Sequence, residues 1–327
     1  MAEVIEVGEG NGAEAIARAV EVLAGGGLVA LPTETVYGLA ACADDERAVA
    51  RIFAAKGRPS HNPLIVHVPD VGAARAVAGT WPAAADRMAR AFWPGPVTLV
   101  VPRGASVVAA VAAGGPTVAL RAPASAITLA ILRRLGRPVA APSANRSQGV
   151  SPTRAEHVVS SLGARVDLVI DAGPCAVGLE SAVVDVSREP ARLLRPGTVD
   201  LEQLRAVLPE LVPYDGAGDA QRSSPGQDRR HYAPAARLSL VESVDLADAA
   251  RRAPGPTGLL LLDARPDLPV AWSQVLGRDP RHYASGLFAA LWAADAAGCR
   301  SLIVELPPRS PAWSAVLDRL QRAAAPG

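Results

Sequence analysis

Apolar positions recur along this chain with two different periods, and the period switches repeatedly. Residues 13–23 repeat at helical spacing and stop at Gly25-Gly26-Gly27. Residues 28–31 follow as a short continuous apolar run, which predicts a buried strand. Asp44-Asp45-Glu46 place acids at the dipole-favoured start of a helix predicted to reach about residue 55. Strands are then predicted over 63–68, 97–101, 117–121 and 138–141, with helices over 86–92 and 127–135 between them. Thr153 and Glu156 have the spacing of a capping box, which predicts a helix to about residue 162. Strands over 166–171, 181–186 and 192–194 close the region. Short strands alternating with helices and short loops predict an α/β fold with a sheet of mixed direction.

From about 210 to 236 the periodicity disappears. Asp215-Gly216-Ala217-Gly218-Asp219 and Ser223-Ser224-Pro225-Gly226 carry turn chemistry, as a linker does. A second, smaller α/β pattern follows. Its strands are predicted over 237–241, 258–262 and 301–305, and its helices over 246–252, 282–297 and 312–324. Leu287, Phe288, Leu291 and Trp292 form one apolar stripe, which reads as core. The chain therefore divides into 1–209, a linker over 210–236, and 237–327. No internal repeat is visible.

Bulk properties narrow the function classes. The chain has 327 residues, 20% of them charged, and a formal net charge of +1, so charge does not predict a broad nucleic-acid-binding face. Cys42, Cys175 and Cys299 are far apart and match neither a metal spacing nor a disulfide framework. The acidic N-terminus lacks a signal-peptide pattern, and no apolar run approaches transmembrane length. These features predict a reduced, cytoplasmic setting without a membrane.

Lys56 is the only lysine among 33 basic residues. A position that keeps a compact ammonium against such an arginine bias points to a specific need for it, such as a phosphate. It opens Lys56-Gly57-Arg58-Pro59-Ser60-His61-Asn62-Pro63, where two cations flank a glycine. Such a segment can surround a triphosphate with charge-assisted bonds, although it is not a Walker loop. Other polar features sit at strand ends, where open α/β sheets bind ligands. Pro32-Thr33-Glu34-Thr35-Val36-Tyr37-Gly38 is a hydroxyl-rich turn. His67 stands alone in an apolar strand, a setting more often structural than catalytic. Arg121 ends a hydrophobic strand, where its charge needs a partner such as a carboxylate. Ser143-Ala144-Asn145, Gly178-Leu179-Glu180-Ser181 and Leu194-Arg195-Pro196-Gly197 complete the series.

Each motif is weak alone, but in this order they resemble the YrdC-type L-threonylcarbamoyladenylate synthases over roughly residues 12–205. Arg230-His231-Tyr232-Ala233-Pro234 resembles the linker motif of that family's long form, and residues 237–327 resemble its accessory C-terminal domain. The resemblance implies a YrdC-like catalytic domain, an open twisted mixed sheet with flanking helices. It also implies a linker lying as a lid over the active site and a second, Rossmann-like α/β domain. The implied activity joins L-threonine, bicarbonate and ATP into L-threonylcarbamoyl-AMP and pyrophosphate. A separate transferase would then pass the threonylcarbamoyl group to tRNA.

Carried over by motif, ATP is expected on Lys56, Arg58, Asn62, Thr117, Ser143, Asn145, Ser151, Arg195 and Tyr232, with Lys56 and Arg58 as the catalytic cations. L-threonine is expected on Thr35, His67, Arg121, Ala141 and Ser181. Magnesium would arrive with ATP; no dedicated metal cage and no tightly bound cofactor are expected. Ala182 stands where the family usually has threonine, and Gln227-Asp228-Arg229 departs from the usual linker run. Two alternatives stand beside this expectation. One is the carbamoyl-adenylate-forming domain of a carbamoyltransferase, disfavoured by the missing zinc-type cysteines and further catalytic domains. The other is a double-stranded RNA-binding module, disfavoured by near-neutral charge, although weak RNA contact as a side property remains compatible with the sequence.

Overall fold

The computed structural model describes residues 2–214, 230–264, 268 and 270–326. Ten strands form the larger sheet: β1 (Glu3–Glu6), β2 (Val29–Leu31), β3 (Gly38–Cys42), β4 (Ile65–His67), β5 (Val97–Pro102), β6 (Thr117–Arg121), β7 (Val139–Ala140), β8 (Leu168–Asp171), β9 (Ala182–Asp185) and β10 (Arg192–Arg195). Their spatial order is β1-β8-β2-β3-β7-β4-β6-β5-β9-β10. Parallel pairs such as β4 with β6 and β5 with β9 alternate with antiparallel ones, so the sheet is mixed as expected. Helices α1 (Gly12–Ala24), α2 (Glu46–Lys56), α3 (Val71–Val77), α4 (Ala83–Phe92), α5 (Ala126–Leu135), α6 (Ala155–Leu162) and α7 (Leu201–Val207) flank it.

The predicted local chemistry is partly realised. Asp45 caps α2, its carboxylate accepting from the backbone N–H of Arg47 and Ala48, and Gly57 ends the helix in the left-handed region. The expected Thr153–Glu156 capping box does not form. Helix α6 begins after Arg154, without a side-chain cap, and the Thr153 backbone N–H donates to His157 Nδ1 instead.

The pleat of the sheet decides where the site lies. Successive side chains on a strand point to opposite faces. Leu64, Val66, Val68, Val118, Leu120, Leu99, Ala182 and Val184 point to the main core. Their strand neighbours Ile65, Ala119, Val100 and Val183 form a small apolar cluster apart from it. His67 follows Ile65 by two and Arg121 follows Ala119 by two, and β4 and β6 pair in register with His67 beside Arg121. One period-2 step therefore continues the smaller cluster into two polar groups.

The second sheet contains β11 (Arg237–Val241), β12 (Thr257–Leu261), β13 (Trp272–Val275) and β14 (Ser301–Glu305) in the order β11-β14-β12-β13, all parallel. Helices α8 (Leu246–Arg252), α9 (Pro280–Ala296) and α10 (Ser314–Ala324) accompany it. The predicted stripe on α9 is buried at Leu287, Phe288 and Leu291. Trp292 is half-buried, stacks on His157 at 4.9 Å, and its indole N–H donates to the Ser151 carbonyl at 3.2 Å. This second core also takes in Val36, Val150, Leu179 and Tyr232, so it continues onto the rim of the first sheet's polar face. No helix among the described residues is long and apolar enough to cross a membrane.

At Gly178 the two parts approach closely through backbone. It adopts φ +71°, and a Cβ there would lie 2.5 Å from the Ser285 carbonyl oxygen on α9. Gly178→Ala is expected to cost about 2 kcal/mol or more, from left-handed strain plus the clash. Thermal and denaturant unfolding will check it; wild-type stability would refute the tight approach.

Candidate active site

A pocket opens on the polar face of the larger sheet. It is lined by Thr33, Thr35, Val36, Gly38, Arg58, Ile65, His67, Arg121, Ala141, Pro142, Ser143, Glu180, Ser181, Arg195, His231 and Tyr232. Nine of the expected site residues are among them: Thr35, Arg58, His67, Arg121, Ala141, Ser143, Ser181, Arg195 and Tyr232. About 40 Å³ of space remains inside, whereas ligand pockets commonly hold about 300–1,000 Å³. The side chains of His231 and Tyr232, both buried, belong to the walls that close it.

One group of lining residues, Arg121, Thr35, Ser181 and His67, suits a small zwitterion. Arg121 donates from Nη1 to Thr35 Oγ1 at 2.8 Å and from Nε to the Gly95 carbonyl at 3.1 Å. Its Nη2 lies 2.7 Å from Glu34 Oε1, an ion pair outside good hydrogen-bond geometry. Glu34 in turn accepts from the Ala124 backbone N–H. Ser181 Oγ meets Thr98 Oγ1 at 2.7 Å. His67 is buried, and neither of its ring nitrogens has a hydrogen-bond partner among the described residues. Burial, then the neighbouring Arg121 charge, push its pKa down to about 3, so the ring is neutral.

Further cations line or neighbour the pocket. Arg58 donates to the Asn62 and Pro63 carbonyls, which pins its guanidinium against its own loop. Arg195 donates to the Ser181 carbonyl from Nε at 3.1 Å and from Nη2 at 3.0 Å, and burial pulls its pKa down. His231 is held far below its ordinary pKa by burial, then by the charges of Arg58, Lys56, Arg195 and Arg319.

Five expected residues are not in the pocket wall. Lys56 Nζ donates to the carbonyls of Ser143 and Asn145 at 2.5 and 2.6 Å, while burial and Arg58 lower its pKa strongly. Its ammonium thereby holds the Ser143-Ala144-Asn145 turn, of which Ser143 lines the pocket. Asn145 donates from its side-chain amide to the Arg146 and Gly149 carbonyls. Ser151 Oγ donates to Glu180 Oε1 at 2.5 Å. Asn62 is buried behind Arg58. Thr117 starts β6, four residues from Arg121, so about 13 Å of strand separates them.

Three residues left unassigned by sequence reasoning belong here. Glu180 lines the pocket and joins Ser151 to Arg319. His231 lines it beside Tyr232. Arg319 reaches in from α10 with its side chain fully buried. A signal for it existed: Ala315, Val316, Leu320 and Ala323 mark the buried stripe of α10, and Arg319 falls on that stripe, where a charge must be paired.

Comparisons with known proteins fit this geometry. Residues 21–197 match a Sua5/YciO/YrdC family model described as telomere recombination, and residues 199–325 match one described as threonylcarbamoyl-AMP synthase, C-terminal domain. The chain is 45% identical to the threonylcarbamoyl-AMP synthase of Pyrococcus abyssi over 221 residues, covering 66% of this chain and 65% of that protein. It is 37% identical to the Bacillus subtilis threonylcarbamoyl-AMP synthase over 320 residues, covering 94% and 92%. Among solved structures, P. abyssi Sua5 complexed with L-threonine superposes with a TM-score of 0.91 at 34% identity, covering 99% of this chain and 97% of that one.

The neutral state of His67 carries a pH signature. The unfolded chain takes up a proton below about pH 6.5, whereas folded His67 resists protonation down to about 3. Its contribution to stability is therefore full above 6.5 and is lost as pH falls through that window. Between pH 7.5 and 5 the loss from His67 amounts to about 2 kcal/mol. His67→Gln should show a shallower decline by about that amount in chemical unfolding; an equal decline would show that His67 is not held neutral.

Proposed function

The chain belongs to the Sua5/YrdC family of threonylcarbamoyl-AMP synthases, and from that premise we propose that it makes L-threonylcarbamoyl-AMP from L-threonine, bicarbonate and ATP. The amine of threonine condenses with bicarbonate to a carbamate, releasing water. A carbamate oxygen attacks the α-phosphorus of ATP, the bond to the β-phosphate oxygen breaks, and pyrophosphate leaves with that electron pair. This is a nucleotidyl transfer. The observation that carries the reading is the juxtaposition, in one pocket, of a neutral His67 and Arg121–Thr35–Ser181 with Arg58 and Arg195.

Arg121 takes the threonine carboxylate, exchanging its contact with Glu34 for a better one. Neutral His67 offers one donor and one acceptor to the amino acid without adding charge, and the Thr35 and Ser181 hydroxyls complete its surroundings. Arg58 and Arg195 meet the phosphates, and Tyr232 covers the nucleotide. Lys56 acts one layer back, fixing the Ser143–Asn145 turn through its carbonyls. Two anionic substrates repel each other, so most of the catalysis is proximity plus charge neutralisation. Magnesium would enter with ATP and would offset part of the phosphate charge.

Residues 1–209 form the catalytic domain, 210–236 a lid, and 237–327 an accessory domain that anchors it. The near-filled pocket and the burial of His231 and Tyr232 support a closed lid that withdraws to admit substrates and then shields the labile carbamate from water. Residues 215–229, where the unusual Gln227-Asp228-Arg229 run falls, lie outside the described residues. The product passes to a tRNA threonylcarbamoyl transferase, and the enzyme works in the cytoplasm.

Product analysis by mass spectrometry tests the proposal. Protein is incubated with ATP, magnesium, bicarbonate and L-threonine, omitting each in turn. Threonylcarbamoyl-AMP that requires all three substrates, with pyrophosphate released, is the expected result. An adenylate formed only with carbamoyl phosphate would support the carbamoyltransferase alternative instead. In the same assay Arg121→Ala should raise the KM for threonine more than that for ATP, by about 10- to 100-fold for a lost charged hydrogen bond. An unchanged threonine dependence would remove Arg121 from carboxylate binding.

A further inference from the structure

Thr98 is not among the residues that line the pocket, yet its hydroxyl bonds to one that is. On β5, Val97, Leu99 and Val101 face the main core, and Val100 faces the smaller apolar cluster. Thr98, two residues before Val100, shares its face. Ser181 stands two residues before Val183 of that same cluster, just ahead of β9. Strands β5 and β9 run parallel with Thr98 paired to Val183, and the Ala182 N–H donates to the Pro96 carbonyl. The pleat that sets His67 beside Arg121 therefore also sets Thr98 against Ser181. Their side-chain oxygens are 2.7 Å apart, and Thr98 has no exposed surface.

Hydrogen-bond accounting fixes the direction of this contact. A hydroxyl has one proton to give and two lone pairs with which to accept. Thr98 Oγ1 has no other partner among the described residues, so Ser181 Oγ is the one acceptor within its reach. A buried hydroxyl proton without an acceptor is costly, so Thr98 donates. Ser181 Oγ also accepts from Arg195 Nη2 at 3.3 Å, since a guanidinium can only donate. Both lone pairs of Ser181 Oγ are then engaged, and its own proton has no acceptor among the described residues. Ser181 lines the pocket, so that proton is left for whatever binds there.

We propose that Thr98 is a positioning residue for the amino-acid substrate: by donating to Ser181 Oγ it makes the Ser181 hydroxyl a hydrogen-bond donor to a substrate oxygen. Ser181 then selects an acceptor at this point. A carboxylate, carbamate or hydroxyl oxygen fits; the ammonium of free threonine, which can only donate, does not. This deepens the reading that L-threonine binds in this pocket, and rests on it.

Two substitutions separate the hydroxyl from the rest of the side chain. Valine removes the hydroxyl and keeps the shape, whereas serine keeps the hydroxyl and removes the methyl. Calorimetry on the full chain measures binding of L-threonine and, separately, of magnesium-ATP for the wild type, Thr98→Val and Thr98→Ser, with thermal melts on each. Thr98→Val should weaken threonine binding by about 3- to 10-fold, the effect of one neutral hydrogen bond. Its ATP affinity should stay within about twofold of wild type, because Arg195 keeps its bonds to the Ser181 carbonyl. Thr98→Ser should bind threonine within about twofold of wild type, since the donor is retained. Should Thr98→Val fail to fold, Thr98→Ala, which removes the same hydroxyl, takes its place against Thr98→Ser.

Wild-type threonine affinity in Thr98→Val would overturn the proposal. So would a Thr98→Ser protein as impaired as Thr98→Val, because the methyl and not the hydroxyl would then matter. Equal losses for threonine and ATP would also overturn it, since Thr98 would then only support the local fold. The synthase reading is judged separately. A wild type that binds threonine but forms no threonylcarbamoyl-AMP would refute that reading, while the binding series still decides Thr98. A wild type that binds no threonine would overturn both.

Discussion

Among the described residues, five lysine or arginine side chains are buried, and all five surround one small pocket: Lys56, Arg58, Arg121, Arg195 and Arg319. Burying like charges together is costly, and the fold manages it in two ways. Some charges are tied to backbone carbonyls, as Lys56 is to Ser143 and Asn145. Others are paired with carboxylates, Arg121 with Glu34 and Arg319 with Glu180. Cations held in this way suit a site for anionic substrates. A preorganised set of cations can act on charge developing at a phosphate with little reorganisation.

That requirement explains why both parts of the chain meet here. The pleat of β4 and β6 places His67 and Arg121 side by side on the face opposite the main core. The turn before β9 and the end of β10 add Ser181 and Arg195. The linker adds His231 and Tyr232, and α10 adds Arg319. The second hydrophobic core extends over Val36, Val150, Leu179 and Tyr232, so apolar packing seals the rim of a highly charged centre. Low dielectric around the cations strengthens whatever they bind.

Much of this was legible in the sequence, and the failures are instructive. Strand β11 and helix α8 fall where hydrophobic periodicity put them. Strand β1 escaped because its Glu-Val-Ile-Glu run lies mostly exposed at a sheet edge, and β3 because Gly-Leu-Ala-Ala-Cys carries no β-branched residue to mark it. Strand β13 is half-exposed and equally quiet. In the site, motif order identified the polar turns but not the direction each side chain takes. Lys56, Asn145 and Ser151 share their turns with pocket residues and bond to backbone or to Glu180. Arg319 lies far along the chain from every motif, and only its position on an apolar helix stripe betrays it.

The central claim is that buried positive charge in this pocket is balanced by a bound anion. Thermal unfolding with increasing pyrophosphate tests it most directly. The account predicts a saturable rise in melting temperature, equivalent to about 2.7 kcal/mol at one hundred times Kd, and a much smaller rise in Arg58→Ala. No rise in the wild type, or an equal rise in Arg58→Ala, would contradict it.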